Sequence, residues 1–281
     1  MSVFAPQDLF PQLAGWVANL DDVFPGKPIK DSVWAFAQIE VGHLLSLAVL
    51  GGTSLLLNLR LIGVGLTDEP PRELHRNLAV WTWAGLIVIL ISGLLMGASN
   101  AERLYTSEAF TAKMIGLAAG ILMTFGFTLP ATRNDGVVGA LPRAMAVIGL
   151  AIFLVAVWVF LQAKLANPGL WHVIVAGGLI VLFASRGLTR LIYLGVIGLM
   201  IVAQQIMTHV VIPSDAFDRL DPVNKGFAWA FALVILAFGV VQAVASGREE
   251  KGAGFFVKGM AFASVLVWVM TAAAGRWLAF A

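Results

Sequence analysis

One recurrence limits what this chain can fold into. Apolar runs of about 20 residues, separated by short charged connections, fill it from residue 33 to residue 277. They lie at roughly 33–63, 77–98, 112–130, 144–164, 169–185, 189–212, 226–246 and 255–277. A helix rising 1.5 Å per residue needs about 20 such residues to cross about 30 Å of hydrocarbon. Inside lipid the backbone must satisfy its own hydrogen bonds, which leaves helices or a closed barrel, and runs of this length are helical. Charged residues make up 12% of the chain against about 25% in a soluble domain, and hydrophobic residues make up 59%. The expected architecture is therefore all-α, a polytopic transmembrane bundle of about eight spans in a lipid bilayer. The fifth run is the shortest. It follows "ANPG" and is joined to the sixth only by "SRGLTR", which predicts a tight hairpin. If it dips into the bilayer without crossing, the topology beyond it inverts.

Three stretches are expected. Residues 1–32 carry Leu9, Leu13, Val17 and Leu20 at helical spacing, which suits an interfacial amphipathic segment with Trp16 near the headgroups; a plain extended arm fits as well. This stretch lacks a basic start and a continuous apolar core, so no cleavable signal peptide is expected. Residues 33–143 and 144–281 form two transmembrane halves. With no cysteine, thiolate catalysis, disulfides and iron–sulfur clusters are excluded. A net charge of +2 argues against nucleic acid as a partner. Eight of the eleven arginines (Arg60, Arg72, Arg76, Arg133, Arg143, Arg186, Arg190 and Arg248) fall on one side of an eight-span chain. The positive-inside rule makes that side cytoplasmic and both termini periplasmic.

The chemistry concentrates in polar residues at membrane depth, where ionisable groups are costly and usually functional. In the first run Glu40, His43, Gly51, Ser54 and Asn58 fall within an arc of about 80° at 100° per residue, a polar seam that should face other helices. In the sixth, Gly195, Gly198, Val202, Gln205 and His209 share a face. Three of the four histidines (His43, His172 and His209) gather towards the same outer end. Two readings are open for His43 and His209. Each holds the bundle together through hydrogen bonds, or the pair ligates a b-type haem, with His172 or a methionine such as Met96, Met207 or Met270 as substitute ligand. On the haem reading Lys113 and Arg103 sit near the propionates; on the other, Lys113 only snorkels. The fourth histidine, His75 in "RELHRN", reads as a solvated interfacial residue.

No phosphate loop and no serine–histidine–acid set is present, so no catalytic residue is expected within the chain, and any catalysis is expected from an oxidoreductase complex of which it is the redox subunit. The leading expectation is a haem-b electron-transfer subunit between a periplasmic or membrane redox partner and quinone. A proton or copper-type cation transporter built on the Glu40–His43 seam, with Ser54, Asn58 and Gln205, is the first alternative. A non-redox anchor of a larger complex is the second. Asp215, Asp218 and Asp221 form either a docking patch for a basic carrier or a solvated turn.

A pattern over about residues 32–130 adds to this. It runs from Trp34 through Glu40 and His43 to "NLRL" at residues 58–61, then Trp-x-Trp-x-Gly at 81–85, then Lys113 opening the third run. It resembles an uncharacterised family of four-helix bacterial inner-membrane proteins. More distantly it is similar to copper-resistance D-type proteins and small membrane b-type cytochromes. The resemblance implies a location in the bacterial inner membrane and draws attention to His43; it assigns no activity.

Overall fold

The computed structural model describes residues 4–20, 22–162, 166–213, 216–246 and 253–278. It is all-α: no strand occurs among the described residues. Short helices α1 (Pro6–Leu9), α2 (Ala14–Leu20) and α3 (Gly26–Lys30) lead into α4 (Ala35–Ile62) and α5 (Pro71–Ala98). A short α6 (Ala101–Tyr105) precedes α7 (Glu108–Ile121), which continues through a π-helical turn at Leu122–Thr128 into α8 (Leu129–Arg133). Then come α9 (Ala140–Gln162), α10 (Ala166–Ala184), α11 (Gly187–Ile206) with a π-helical end at Met207–Val211, α12 (Phe217–Ser246) and α13 (Phe255–Trp277). Seven of these, with α7 and α8 taken as one, are long and apolar enough to cross a membrane, and the apolar part of α10, Leu170–Ala184, is shorter.

The helix boundaries follow from local chemistry. Gly63 stops α4 in the left-handed region (φ +92), where its N–H and that of Val64 both return to the Leu59 carbonyl. Gly187 (φ +54) makes the turn expected between α10 and α11. Pro130 has no N–H to give the carbonyl four residues back, and the wide turn just before it accommodates that loss.

Packing sets the order of the helices. α5 lies against α4 so closely that a Cβ on Gly85 would sit 2.9 Å from the Leu50 amide nitrogen. Gly120 meets the Trp268 ring, and Gly149 meets Met123. The largest apolar core joins α7, α9 and α13 around Met123, Phe160, Val267 and Met270. A second cluster, Leu50, Leu86, Ile89 and Trp268, ties α4 and α5 to α13. The last helix thus packs inside the first half, and the expected boundary at residue 143 is crossed by the main core. Met270 is fully buried in that core and serves as packing.

The contacts also set the direction of α10. Ala253, just before α13, meets Gly136, and Arg143 lies over the Phe256 ring, so α13 begins at the arginine-rich end. It finishes at the other end, where Arg103 donates to the Leu278 carbonyl. Gln242 of α12 donates to the Ala184 carbonyl at 2.7 Å, so α10 and α12 end together. The N-terminal stretch folds over the outer end: Tyr105 donates to the Phe10 carbonyl, and Phe4 packs on Trp158. Leu9, Phe10, Leu13 and Trp16 remain exposed.

Candidate functional site

The polar seam of α4 divides along its length. Glu40 is exposed, His43 is half-buried, and Ser54 and Asn58 are almost fully buried. The seam therefore does not face one cavity. Its outer part lies at the bundle surface and its inner part in the core.

At the outer part, His43 Nδ1 lies 2.9 Å from Ser92 Oγ on α5. The single Ser92 hydroxyl proton is donated to the Val88 carbonyl at 2.6 Å. With that proton directed at the carbonyl, Ser92 Oγ is open to accept from His43 Nδ1–H in the Nδ1–H tautomer. That tautomer leaves Nε2 with a bare lone pair, the form in which imidazole binds a metal or takes a proton. Gly93 leaves room for the ring, since a Cβ there would lie 3.3 Å from His43 Cε1. Gly42, Gly51 and Gly52 of α4 face open space.

Lys113 of α7 is close enough for its charge to act on this imidazole. Its stem packs on Gly275 of α13, and it makes no ion pair among the described residues. Arg103 reaches the same last turn of α13 through Leu278. His43, Lys113 and Arg103, distant in sequence, thus lie towards the same end of α4, α5, α7 and α13, the one away from the arginine-rich end.

The other expected ligands do not join them. His209 is exposed on the π-helical end of α11, with Nδ1 2.9 Å from the hydroxyl of its neighbour Thr208. That segment packs against α11 and α12, not against α4. His172 is exposed on α10, which packs against α12 and α13. The main helix contacts thus do not bring His209 to His43: equal depth in the membrane does not make two helices neighbours. Gly195 and Gly198 border open space and no helix crossing. Gln205 is exposed, while Gln204 reaches Asn224 at 3.5 Å. Among the described residues no three histidine or carboxylate side chains gather as a metal site. Of the acidic patch, Asp221 pairs with Lys225 at 2.7 Å, Asp218 is exposed, and Asp215 lies outside the described residues.

The inner part of the seam opens onto a network that the reading of single helices missed. Asn58 donates to the Ser54 carbonyl at 2.8 Å and to Ser264 Oγ at 3.2 Å, and accepts from Thr128 at 2.9 Å. Ser54 meets Thr124 at 3.2 Å, and Thr124 accepts from the Trp268 indole at 2.9 Å. One turn further on, Thr132 lies 3.3 Å from His75 Nδ1. Thr124, Thr128 and Thr132 recur every four residues, and that spacing was the available signal. Between this network and His43 lies an apolar layer containing Leu47, Leu50, Ile89 and Leu117.

The donor set suits a group that takes one axial nitrogen and offers anionic substituents. His43 Nε2 would be the ligand, and Lys113 with Arg103 the cations; a second histidine does not complete the set. No curated protein and no solved structure matches this chain. A model for a family of unknown function (DUF6644) matches residues 26–172, just over half of the sequence, and the chain belongs to that family.

Proposed function

We propose that this multi-pass membrane protein is a b-type cytochrome-like subunit that passes electrons between a partner redox protein and the quinone pool. The observation that carries the reading is His43, whose Nδ1 lies 2.9 Å from Ser92 Oγ so that the Nδ1–H tautomer leaves Nε2 open, beside Lys113, which makes no ion pair among the described residues. His43 would hold the haem iron, and Lys113 and Arg103 would balance the charge of its propionates. A bound haem would supply one-electron chemistry. The chain's own part is to fix the imidazole tautomer, shield one face with apolar helices and hold positive charge at the outer end. The distant likeness to copper-resistance D-type proteins and membrane b-type cytochromes fits this role. So does a bacterial inner membrane with the arginine-rich end cytoplasmic and both termini periplasmic.

The test is an optical spectrum of the detergent-purified chain from haem-sufficient cells, oxidised and reduced, with haem quantified per chain. One histidine nitrogen per chain predicts a b-type haem with the broad bands of a high-spin iron. His43→Ala should remove it, and His209→Ala should leave it in place. A colourless wild-type protein would end the proposal.

A second reading rests on a row of polar groups: His75 meets Thr132, Thr132 donates to the Thr128 backbone carbonyl, and the Thr128 hydroxyl leads through Asn58 to Ser54. Together with His43 beyond the apolar layer, it suits stepwise passage of a proton or cation. Proton flux into vesicles holding a colourless protein, abolished by Asn58→Leu, would favour transport over both the cytochrome and an inert anchor.

A further inference from the structure

The arginine-rich end holds a cleft whose arginines neither reading uses. Its volume is about 450 Å³, and Arg72, Glu73, His75, Arg76, Ala79 and Arg133 line it. Three guanidinium groups therefore face one carboxylate. Glu73 is ion-paired with Arg76. Arg72 and Arg133 are exposed, and their side chains have no carboxylate partner among the described residues. Asp135 accepts from the Arg72 backbone N–H at 3.0 Å, which fixes the start of α5 against the end of α8. His75, bonded to Thr132, closes the back of the cleft and ties the same two helices together. The arginines are thus held around a hollow by the fold and do not stand on a flat charged face.

Depth identifies the class of ligand. Val80 and Trp81, one turn further along α5, are 65% and 58% exposed and belong to the apolar part of the helix. Tryptophan at a helix end marks the headgroup level, so the cleft opens there with Ala79 as its floor. Arginine forks match phosphate oxygens in pairs, which a planar guanidinium does better than a lysine ammonium. The neighbouring cleft differs: Arg60 and Lys258 there face Asp68 and Asp135, which balances its charge.

We infer that the cleft between the start of α5 and the end of α8 binds a phosphate group at headgroup depth, through Arg72 and Arg133 with Arg76 at its rim. The phosphate belongs to an anionic phospholipid or to a soluble phosphate.

The experiment is native mass spectrometry of the full chain released from neutral detergent, titrated with phosphatidylglycerol or phosphatidylcholine, with inorganic phosphate as competitor. Wild type should retain phosphatidylglycerol in preference to phosphatidylcholine. The double variant Arg72→Gln/Arg133→Gln should lose at least about tenfold of that preference. Arg186→Gln/Arg190→Gln, which removes two exposed arginines from the same end, should lose little. Retention that survives millimolar phosphate identifies the lipid; displacement by phosphate identifies the soluble anion at the same site. Equal retention by wild type and Arg72→Gln/Arg133→Gln, or an equal loss in Arg186→Gln/Arg190→Gln, overturns the inference, because diffuse surface charge would then account for the binding. Circular dichroism of each variant checks that these exposed changes leave the fold intact.

Discussion

α13 and α11 are both long apolar helices of the second half, yet 56% of the apolar window of α13 is buried in the chain and only 6% of that of α11. The difference runs through everything near them. Glycines that face α13, such as Gly116 and Gly120, are filled by its side chains, whereas Gly195 and Gly198 of α11 face open space. Polar residues around α13 are bonded between helices, as Asn58 is to Ser264, whereas Gln205 and His209 of α11 are exposed. Hydropathy is the same kind of signal in both helices; partner geometry is not. The bundle of α4, α5, α7, α9 and α13 is therefore the specified part of the molecule, and α10 to α12 form a looser flank.

The sharpest way to break this contrast is at the closest crossing. Gly85→Val should destabilise the chain by about 3 kcal/mol, because the added carbon meets Leu50 backbone at 2.9 Å, which a side-chain rotation cannot relieve. Reversible unfolding in mixed micelles reads this directly. A loss below about 0.5 kcal/mol would mean that α4 and α5 are not held at that distance.

Next in size is the buried network. Asn58→Leu removes bonds to Ser54, Ser264 and Thr128. At about 0.6 kcal/mol for an average membrane side-chain bond, and up to about 1.7, the loss should be about 2 kcal/mol. Gln205→Leu, on the exposed flank, should stay within about 0.5 kcal/mol of wild type. Equal effects at the two positions would show that depth alone, and not the neighbouring helix, sets the value of a polar side chain here.

The same distinction explains what could be read from the sequence. Period and hydropathy locate each span because they depend on a single helix and on lipid. The arc that joins His43, Ser54 and Asn58 was legible for the same reason. The Lys113–His43 proximity was accessible only through the motif spacing, since α4 and α7 are not consecutive spans. Ser92, Thr124, Thr128 and Ser264 were not singled out, because a hydroxyl bonded to its own turn looks like any small residue until the facing helix is known. The expected His43–His209 pairing is of the opposite kind. It inferred contact from shared depth, when α13 and not α11 fills the space beside α4.

The smallest expected effect separates the regions most cleanly, because one substitution should act with opposite sign in each. Gly116→Ala puts a carbon 2.5 Å from Thr271 Oγ1, and that hydroxyl is already committed to the Val267 carbonyl at 2.8 Å. It should cost about 1 kcal/mol. Gly198→Ala meets nothing within 4 Å and replaces the worst non-proline helix former with the best. It should raise stability by up to about 1 kcal/mol, read in the same unfolding assay. If Gly198→Ala were instead as harmful as Gly116→Ala, something outside this chain would have to lie against α11. The exposed face carrying Gly195, Gly198 and Val202 would then be a protein contact and not a lipid one, and the contrast between the two regions would belong to the isolated chain alone.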